Sequence, residues 1–192
     1  MSGREYPDEP AGPFPTPPRE FVDSEERSIQ ILGVGADLDH DRATEMLVEM
    51  YDAFDPADRA QGIPPTGESA IRDWIERVLT EDCRNVVAVT RESDAAVGHV
   101  TLVPDGEEHE LAIFVLQSHQ GAGIGTELVR TALGHGAVHE VDRVWLTVER
   151  WNARAVALYQ KTGFETNDGG SFELEMCLRL DEDETAQTER TG

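Results

Sequence analysis

Residues 109–130 read HELAIFVLQSHQGAGIGTELVR, and this stretch decides how the rest of the chain is interpreted. Its first part, residues 109–116, is rich in apolar and β-branched side chains, which favours a buried strand. Gly121, Gly123 and Gly125 follow directly before an apolar spacing typical of a helix. Glycine permits a sharp turn there and removes the Cβ atoms that would keep a ligand away from backbone N–H groups. A strand, a glycine turn and a helix start together predict an anion site, with phosphate as its natural occupant.

The glycine spacing narrows the kind of phosphate ligand. A dinucleotide-binding loop needs G-x-G-x-x-G, and Thr126 stands where the third glycine should be. A P-loop needs a lysine directly after a glycine, which this loop lacks. Residues 120–125 instead match Q-x-x-G-x-G, and here the chain resembles the GNAT superfamily of acyl-CoA-dependent N-acyltransferases. A glycine-rich helix start without a ligand is the alternative for this motif taken alone.

The resemblance implies that loop amides hold the coenzyme A pyrophosphate and that the preceding strand pairs its backbone with the pantetheine arm. The backbone N–H of Val115 or Leu116 would then meet the thioester carbonyl. The loop residues that would bind the cofactor are Gln120, Gly121, Ala122, Gly123, Ile124, Gly125 and Thr126.

A second segment, WNARAVALYQKTGF at residues 151–164, matches the family independently. It resembles N-x-x-A-x-x-L-Y-x-x-x-G-F, in which the tyrosine often protonates the departing coenzyme A thiolate, so the resemblance implies that role for Tyr159. The alternative is a core aromatic residue with a solvated tip. Asn152 is either a cofactor ligand or only a helix N-cap. Arg154 and Arg130 are candidates to add positive charge beside the loop amides, because an acidic protein must bind an anionic cofactor through a local positive field.

The proton acceptor is less clearly indicated. Family members with a glutamate base often carry it eleven residues before the motif glutamine, and that count from Gln120 ends at His109, flanked by Glu108 and Glu110. Histidine has a suitable pKa, near 6.5. We take His109 and Glu110 as catalytic candidates, with a polar strand end and a water chain as the alternatives.

Hydrophobic spacing predicts one α/β (α+β) domain over residues 27–180, with a mixed, mostly antiparallel sheet flanked by helices in the order βααβββαβαβ. This is also the GNAT order, and the resemblance covers roughly residues 28–180. Residues 1–26 hold six of the ten prolines and many acidic side chains, which predicts a disordered arm. Residues 181–192 are predicted to be an acidic tail. The predicted strands are 28–34, 85–90, 95–103, 109–116, 143–149 and 172–180, with a short one at 164–166, and the predicted helices are 39–54, 68–79, 123–138 and 152–162.

Charge and composition exclude several classes of function. The formal net charge is −23, from 39 acidic and 16 basic residues, which disfavours nucleic-acid binding. The acid-rich, lysine-poor composition resembles that of proteins from salt-loving organisms; an ordinary acidic cytosolic protein is the alternative. Cys83 and Cys177 form no C-x-x-C, and no apolar run is long enough for a membrane span, so a cytoplasmic location is expected. His135 and His139 could share a helix face as metal ligands, but two surface histidines are favoured, and no metal is expected.

The sequence therefore predicts an acetyl-CoA-dependent N-acetyltransferase that acts on an amine of a small molecule or protein. Asp52, Asp55 and Asp58 lie in the segment that would line the acceptor side by resemblance, and they favour a cationic amine. A non-catalytic acyl-CoA sensor and an acidic protein-interaction module are the rival hypotheses. Whether the chain forms a homodimer is left open.

Overall fold

The computed structural model describes residues 3–55, 64–167 and 172–181. One eight-stranded sheet runs through this part of the chain in the order β1-β2-β3-β4-β5-β6-β8-β7. Neighbouring strands are antiparallel except β5 and β6, which are parallel. The strands are β1 Arg19–Val22, β2 Ser28–Gly33, β3 Arg84–Thr90, β4 Ala96–Asp105, β5 Glu108–Val115, β6 Arg143–Glu149, β7 Glu165–Asn167 and β8 Glu173–Arg179, and the helices are α1 His40–Asp52, α2 Glu68–Val78, α3 Ile124–Ala137 and α4 Ala153–Thr162.

Two apolar clusters cover the two faces of this sheet. Side chains alternate between faces along each strand, so neighbours on β5 belong to different clusters. Leu111 packs in the cluster that contains Leu128 and Leu133 of α3. Phe114 packs against the cluster that α1 and α2 build with Tyr51 and Ile75. The predicted mixed sheet flanked by helices is thereby confirmed, with one further strand at the N-terminal end.

The predicted disordered arm is wrong for residues 3–26, which contain the strand β1 and a bridge to the sheet at Ala11. β1 pairs with β2 along its whole length. The N–H of Ala11 donates to the Arg179 carbonyl at 2.8 Å, and the Asp181 N–H donates to the Ala11 carbonyl at 3.2 Å. Proline, which has no N–H, is compatible with an edge position even though it conceals a strand signal in the sequence. Residues 182–192, predicted to be a tail, lie outside the described residues.

Candidate functional site

The parallel strands β5 and β6 separate after a short paired stretch. Their register comprises only His109 with Val144 and Glu110 with Trp145. On its other side, β5 pairs with β4 from Glu108 to Val115. Within the described residues, the half of β5 beyond Glu110 therefore has one edge free of a strand partner. An edge of this kind presents backbone N–H and C=O groups to any extended ligand.

The direction of the backbone groups identifies which of them face the open edge. The Leu116 N–H donates to the Val97 carbonyl at 2.9 Å, toward β4. Successive residues of a strand point their backbone groups to opposite sides, so Val115 and Ile113 face away from β4. The Val115 carbonyl accepts a hydrogen bond from Nε2 of Gln120 at 3.0 Å. Of the two N–H groups expected to meet a thioester carbonyl, Leu116 is thus already paired, while Val115 lies on the open edge.

The glycine loop connects this edge to α3. Gly121 and Gly123 have φ values of 78° and 91°, which lie in the region that favours glycine. Gly123 is the N-cap of α3, and because it is glycine it offers no side chain to cap the start of the helix. A Cβ atom at Gly123 would meet nothing within 4 Å, so the space in front of the helix start is open. The first N–H groups of α3, on Ile124, Gly125 and Thr126, have no partner within the helix, which makes this space suitable for an anion.

α4 closes the other side of the loop. A Cβ atom at Gly125 would lie 3.4 Å from Cδ1 of Leu158 and 3.8 Å from Cδ1 of Ile113, so α3, α4 and β5 meet there. A Cβ atom at Gly121 would overlap the guanidinium of Arg154. The structure therefore brings Arg154 directly to the glycine loop, as the sequence predicted. A side chain with a permanent positive charge at this position complements the loop amides.

Asn152 caps α4 from the same region. Its side-chain oxygen accepts a hydrogen bond from the Ala155 N–H at 3.2 Å. This interaction accounts for an asparagine at the start of the helix without any ligand. The capping alternative for Asn152 is thus met by the structure, while its cofactor role stays a prediction.

The N-terminal segment, whose order the sequence did not indicate, supports the loop from outside. The Ser24 N–H donates to the carbonyl of Ala122 at 3.1 Å, and the Arg27 guanidinium donates to the Ser118 carbonyl at 2.9 Å. Nε of Arg27 in turn donates a hydrogen bond to Oδ2 of Asp23 at 2.7 Å. Burial alone would raise the pKa of Asp23, but hydrogen bonds from Arg27 and from a backbone N–H hold that pKa below its ordinary value. An ionised Asp23 keeps this turn, and hence the loop, in place.

Tyr159 lies on the inner face of α4. Its ring is 7% exposed and its centroid is 5.7 Å from that of Phe164. Burial raises the pKa of Tyr159 to about 12, so the hydroxyl carries its proton at neutral pH. Tyr159 packs in the same cluster as Ile113 and Val115 of the open edge. A hydroxyl that keeps its proton at neutral pH can serve as an acid for a leaving thiolate.

The two candidate proton acceptors lie at the other end of β5. At about 3.3 Å per residue, His109 is about 20 Å along the strand from Val115. His109 shares the face of Leu111, which packs against α3, and the pKa of His109 is lowered by burial and by Arg84. The structure does not bring His109 to the open edge. Glu110 lies on the opposite face, exposed, where burial and the neighbouring Asp105 raise the pKa of its carboxyl group.

An aromatic group lies farther along the face of Glu110. Tyr51 is at its centre, with ring centroids 5.0 Å from Trp74 and 5.5 Å from Phe114. The Tyr51 hydroxyl is 2.6 Å from Nδ1 of His99, and Nε2 of His99 is 2.9 Å from Oδ1 of Asn85. Burial lowers the pKa of His99 to about 3, so this chain of hydrogen bonds is neutral. The helical spacing of Tyr51 marked it as core, but nothing in the sequence indicated its link to His99.

The described part of the chain shows neither a metal-binding cluster nor a membrane-spanning helix. Residues 3–55, 64–167 and 172–181 contain no group of three or more His, Cys, Asp or Glu side chains that could hold a metal ion. His135 and His139 stack with ring centroids 4.4 Å apart, and His135 is buried rather than at the surface as expected. None of the helices in these ranges combines the length and the apolar character needed to span a bilayer. Asp58, one of the three acidic acceptor-side candidates, lies outside the described residues.

Solved structures with the same architecture come from several bacteria. The GNAT domain of S. lividans PAT aligns with a TM-score of 0.69 and 14% identity, covering 84% of this chain and 96% of that chain. The YncA protein from Salmonella typhimurium, solved with its cofactor acetyl-CoA, aligns with a TM-score of 0.63 and 19% identity, covering 81% and 95%. At such identities the likeness shows the fold.

Curated relatives share more of the sequence over a shorter length. An uncharacterized N-acetyltransferase of Mycobacterium tuberculosis is 33% identical over 95 residues, which are 48% of this chain and 61% of that protein. The uncharacterized N-acetyltransferase YobR of Bacillus subtilis is 35% identical over 105 residues, which are 54% and 41%. The chain thus spans about three fifths or less of the curated relatives it matches. The profile of the acetyltransferase (GNAT) family matches residues 45–164, from α1 through the glycine loop to the end of α4, and the chain belongs to that family.

Proposed function

We propose that this chain transfers an acetyl group from acetyl-CoA to an amine by direct attack of the amine on the thioester. The observation that carries the proposal is the open edge of β5 running into the glycine loop. The edge offers backbone groups to an extended pantetheine arm, and the loop offers N–H groups and Arg154 to a pyrophosphate. The two features adjoin in the order in which the parts of coenzyme A are joined.

Residues near the open edge are assigned to the separate steps of this reaction. The N–H groups of Val115 and Ile113 face the position where a thioester carbonyl would lie, and one of them donates to the oxygen as negative charge develops on it. The nitrogen of a neutral amine then forms its bond to the carbonyl carbon, and the carbon–sulfur bond breaks. Tyr159 gives its proton to the departing thiolate.

Glu110 is the proposed acceptor of the proton that the amine loses. It is the last β5 residue paired with β6 and, unlike His109, its side chain is exposed. Ile113 and Val115 are three and five residues away, about 10 and 16 Å along the strand, so the proton passes through bridging waters. The raised pKa of Glu110 makes it a better base than an ordinary carboxylate.

Two measurements on the purified chain test this function. Isothermal titration with acetyl-CoA should show saturable binding to one site, and release of the coenzyme A thiol should depend on an added amine. Binding without amine-dependent release would identify a sensor and contradict the proposal. An absence of binding would contradict both and would favour the interaction module.

We also propose that the acidic surface is an adaptation to high salt. The formal charge of −23 repels itself at low ionic strength, and salt screens this repulsion. Several described ion pairs are exposed, such as Arg91 with Glu20 and Arg42 with Asp94, and contribute little that would offset the repulsion.

A further inference from the structure

The guanidinium of Arg4 occupies a pocket on the sheet face that carries Glu110. Its Cζ lies 3.6 Å from the centroid of the Trp145 ring. Its Nη1 is 2.7 Å from a carboxylate oxygen of Glu108 and 3.3 Å from one of Asp105, and its Nε is 3.1 Å from one of Glu175. An aromatic face and three carboxylates thus surround one cation.

This pocket, which we call the cation seat, is formed by Asp105, Glu108, Trp145 and Glu175. Its side chains share a face of the sheet. Trp145 alternates with Val144 and Leu146, which pack in the α3 cluster, so Trp145 points to the other side. By the same alternation, Glu108 shares the face of Glu110 and Phe114. The cation seat and the aromatic group around Tyr51 therefore lie on one side of the sheet.

The cation seat also lies where β5 and β6 begin to separate. Trp145 is the register partner of Glu110, and this is the last pair of the two strands. Ile113, whose N–H faces the open edge, is three residues farther along β5. Along the strand, the level of Trp145 is therefore about 10 Å from Ile113 and about 16 Å from Val115, the two residues whose N–H groups face the open edge.

The segment that supplies Arg4 is attached only by side chains. Among the described residues, the first backbone hydrogen bond of the N-terminal segment is made by Ala11, and residues 3–10 make none. Asp8, Glu9 and Pro10 are exposed. The indole N–H of Trp145, against which Arg4 lies, is buried with no hydrogen-bond partner in the described part of the chain. A permanently docked segment would pair such a group, so residues 3–10 have the features of an occupant that can leave.

We infer that the cation seat binds a second positive charge of the acceptor, and that Arg4 occupies the seat until such an acceptor displaces it. The acceptor is then a diamine or polyamine, with one amino group in the seat and another at the open edge. This inference rests on the proposed function. Arg4 competes for the seat within the same molecule. The apparent affinity for the acceptor is therefore the intrinsic affinity multiplied by the fraction of molecules in which the seat is empty.

The test uses two amines that cannot be acetylated on nitrogen to an amide. Tetramethylputrescine carries two positive charges, and dimethylbutylamine carries one on a similar chain. Isothermal titration of both probes compares the wild type with Arg4→Ala, which empties the seat, and with the double variant Arg4→Ala/Glu175→Gln, which also removes one carboxylate at constant shape. Arg91→Ala is the matched control, because Arg91 pairs with Glu20 in an exposed ion pair of another region.

We expect Arg4→Ala to tighten binding of the dication by about tenfold, and Glu175→Gln added to Arg4→Ala to weaken it again by about tenfold, the effect of one charge-assisted hydrogen bond. The affinity for the monocation should be unchanged in every variant within error. Arg91→Ala should bind both probes with the affinity of the wild type. Equal changes for the two probes, or an Arg4→Ala variant that binds the dication no better than wild type, would overturn the inference. If Arg4→Ala does not fold, Arg4→Gln, which removes the charge and keeps a longer side chain, replaces it in both comparisons.

Acetyl-CoA binding by the same variants separates the two proposals. No residue of the glycine loop is altered in any of these variants. If the wild type does not bind acetyl-CoA, the proposed function is contradicted. The affinities of the variants for the dication still test whether the seat binds a positive charge. Normal acetyl-CoA binding without the dication pattern would remove the seat alone.

Discussion

Replacement of Gly123 should change anion binding at the glycine loop without preventing folding. Aspartate and asparagine have nearly the same shape and both tolerate a positive φ, such as the 91° of this residue. A Cβ atom there would meet nothing within 4 Å, so neither side chain collides with the protein. Both variants carry the same backbone strain, about 1 kcal/mol. They differ only in a negative charge at the start of α3.

The charge should weaken coenzyme A binding in the aspartate variant. A carboxylate about 5 Å from one pyrophosphate charge is repelled by about 0.8 kcal/mol at the dielectric constant of water and about 3 kcal/mol at an effective value of 20. Acetyl-CoA affinity of Gly123→Asp should therefore be lower than that of Gly123→Asn by a factor between about four and a few hundred. Isothermal titration measures both, and circular dichroism confirms that both fold. Equal affinities in two folded variants would refute the loop as the pyrophosphate site.

Other perturbations test separate parts of the account. Tyr159→Phe should lower kcat by about 10²-fold with unchanged acetyl-CoA affinity, because only the acid is lost; a fully active variant would remove Tyr159 from the mechanism. Glu110→Gln should lower kcat in steady-state assays and abolish the acidic limb of the kcat pH profile, whereas an unchanged profile would point to another acceptor. Burial holds the pKa of His99 at about 3 against 6.5 in the unfolded chain. The unfolded state therefore binds a proton that the folded state does not, and the free energy of unfolding should fall by about 1.4 kcal/mol per pH unit as pH drops below 6.5, measured by urea denaturation in 1 M KCl. The melting temperature should rise between 0.1 and 3 M KCl, and a flat curve would contradict the adaptation to salt.

The central part of the fold was predictable because its signals are local. Gly121 and Gly123 stand where the backbone needs a positive φ, Asn152 caps α4, and Gly163 ends that helix at a φ of 111°. Apolar spacing placed the helices and strands that follow β1, because a buried face repeats with the period of its element. These signals also placed Arg154 beside the loop, since both ends of that contact lie in recognisable motifs.

The N-terminal segment was not predictable because its order depends on distant partners. Its prolines and acidic side chains are typical of disorder, and only the presence of β2, Arg179 and Ala122 gives its backbone groups partners. The position of Arg4 is determined by three carboxylates and a tryptophan that are about 100 or more residues away along the chain. No local pattern contains that information.

Counting along the chain located His109 on β5 but could not show which end of the strand is open. That property depends on where β6 departs from β5, after Glu110 and Trp145. The same separation distinguishes Val115 from Leu116, whose N–H groups are adjacent in sequence and face opposite sides of the strand. Catalytic geometry was therefore the part of the site that the sequence predicted least well.

The most direct test is mass spectrometry of putrescine incubated with the purified chain and acetyl-CoA carrying carbon-13 in the acetyl group. We expect a labelled mono-N-acetyl product in the wild type and in Gly123→Asn, and much less of it in Gly123→Asp. A chain that produces no labelled amide from putrescine or from any other amine, or that produces it equally in both Gly123 variants, would contradict acetyl transfer at the glycine loop.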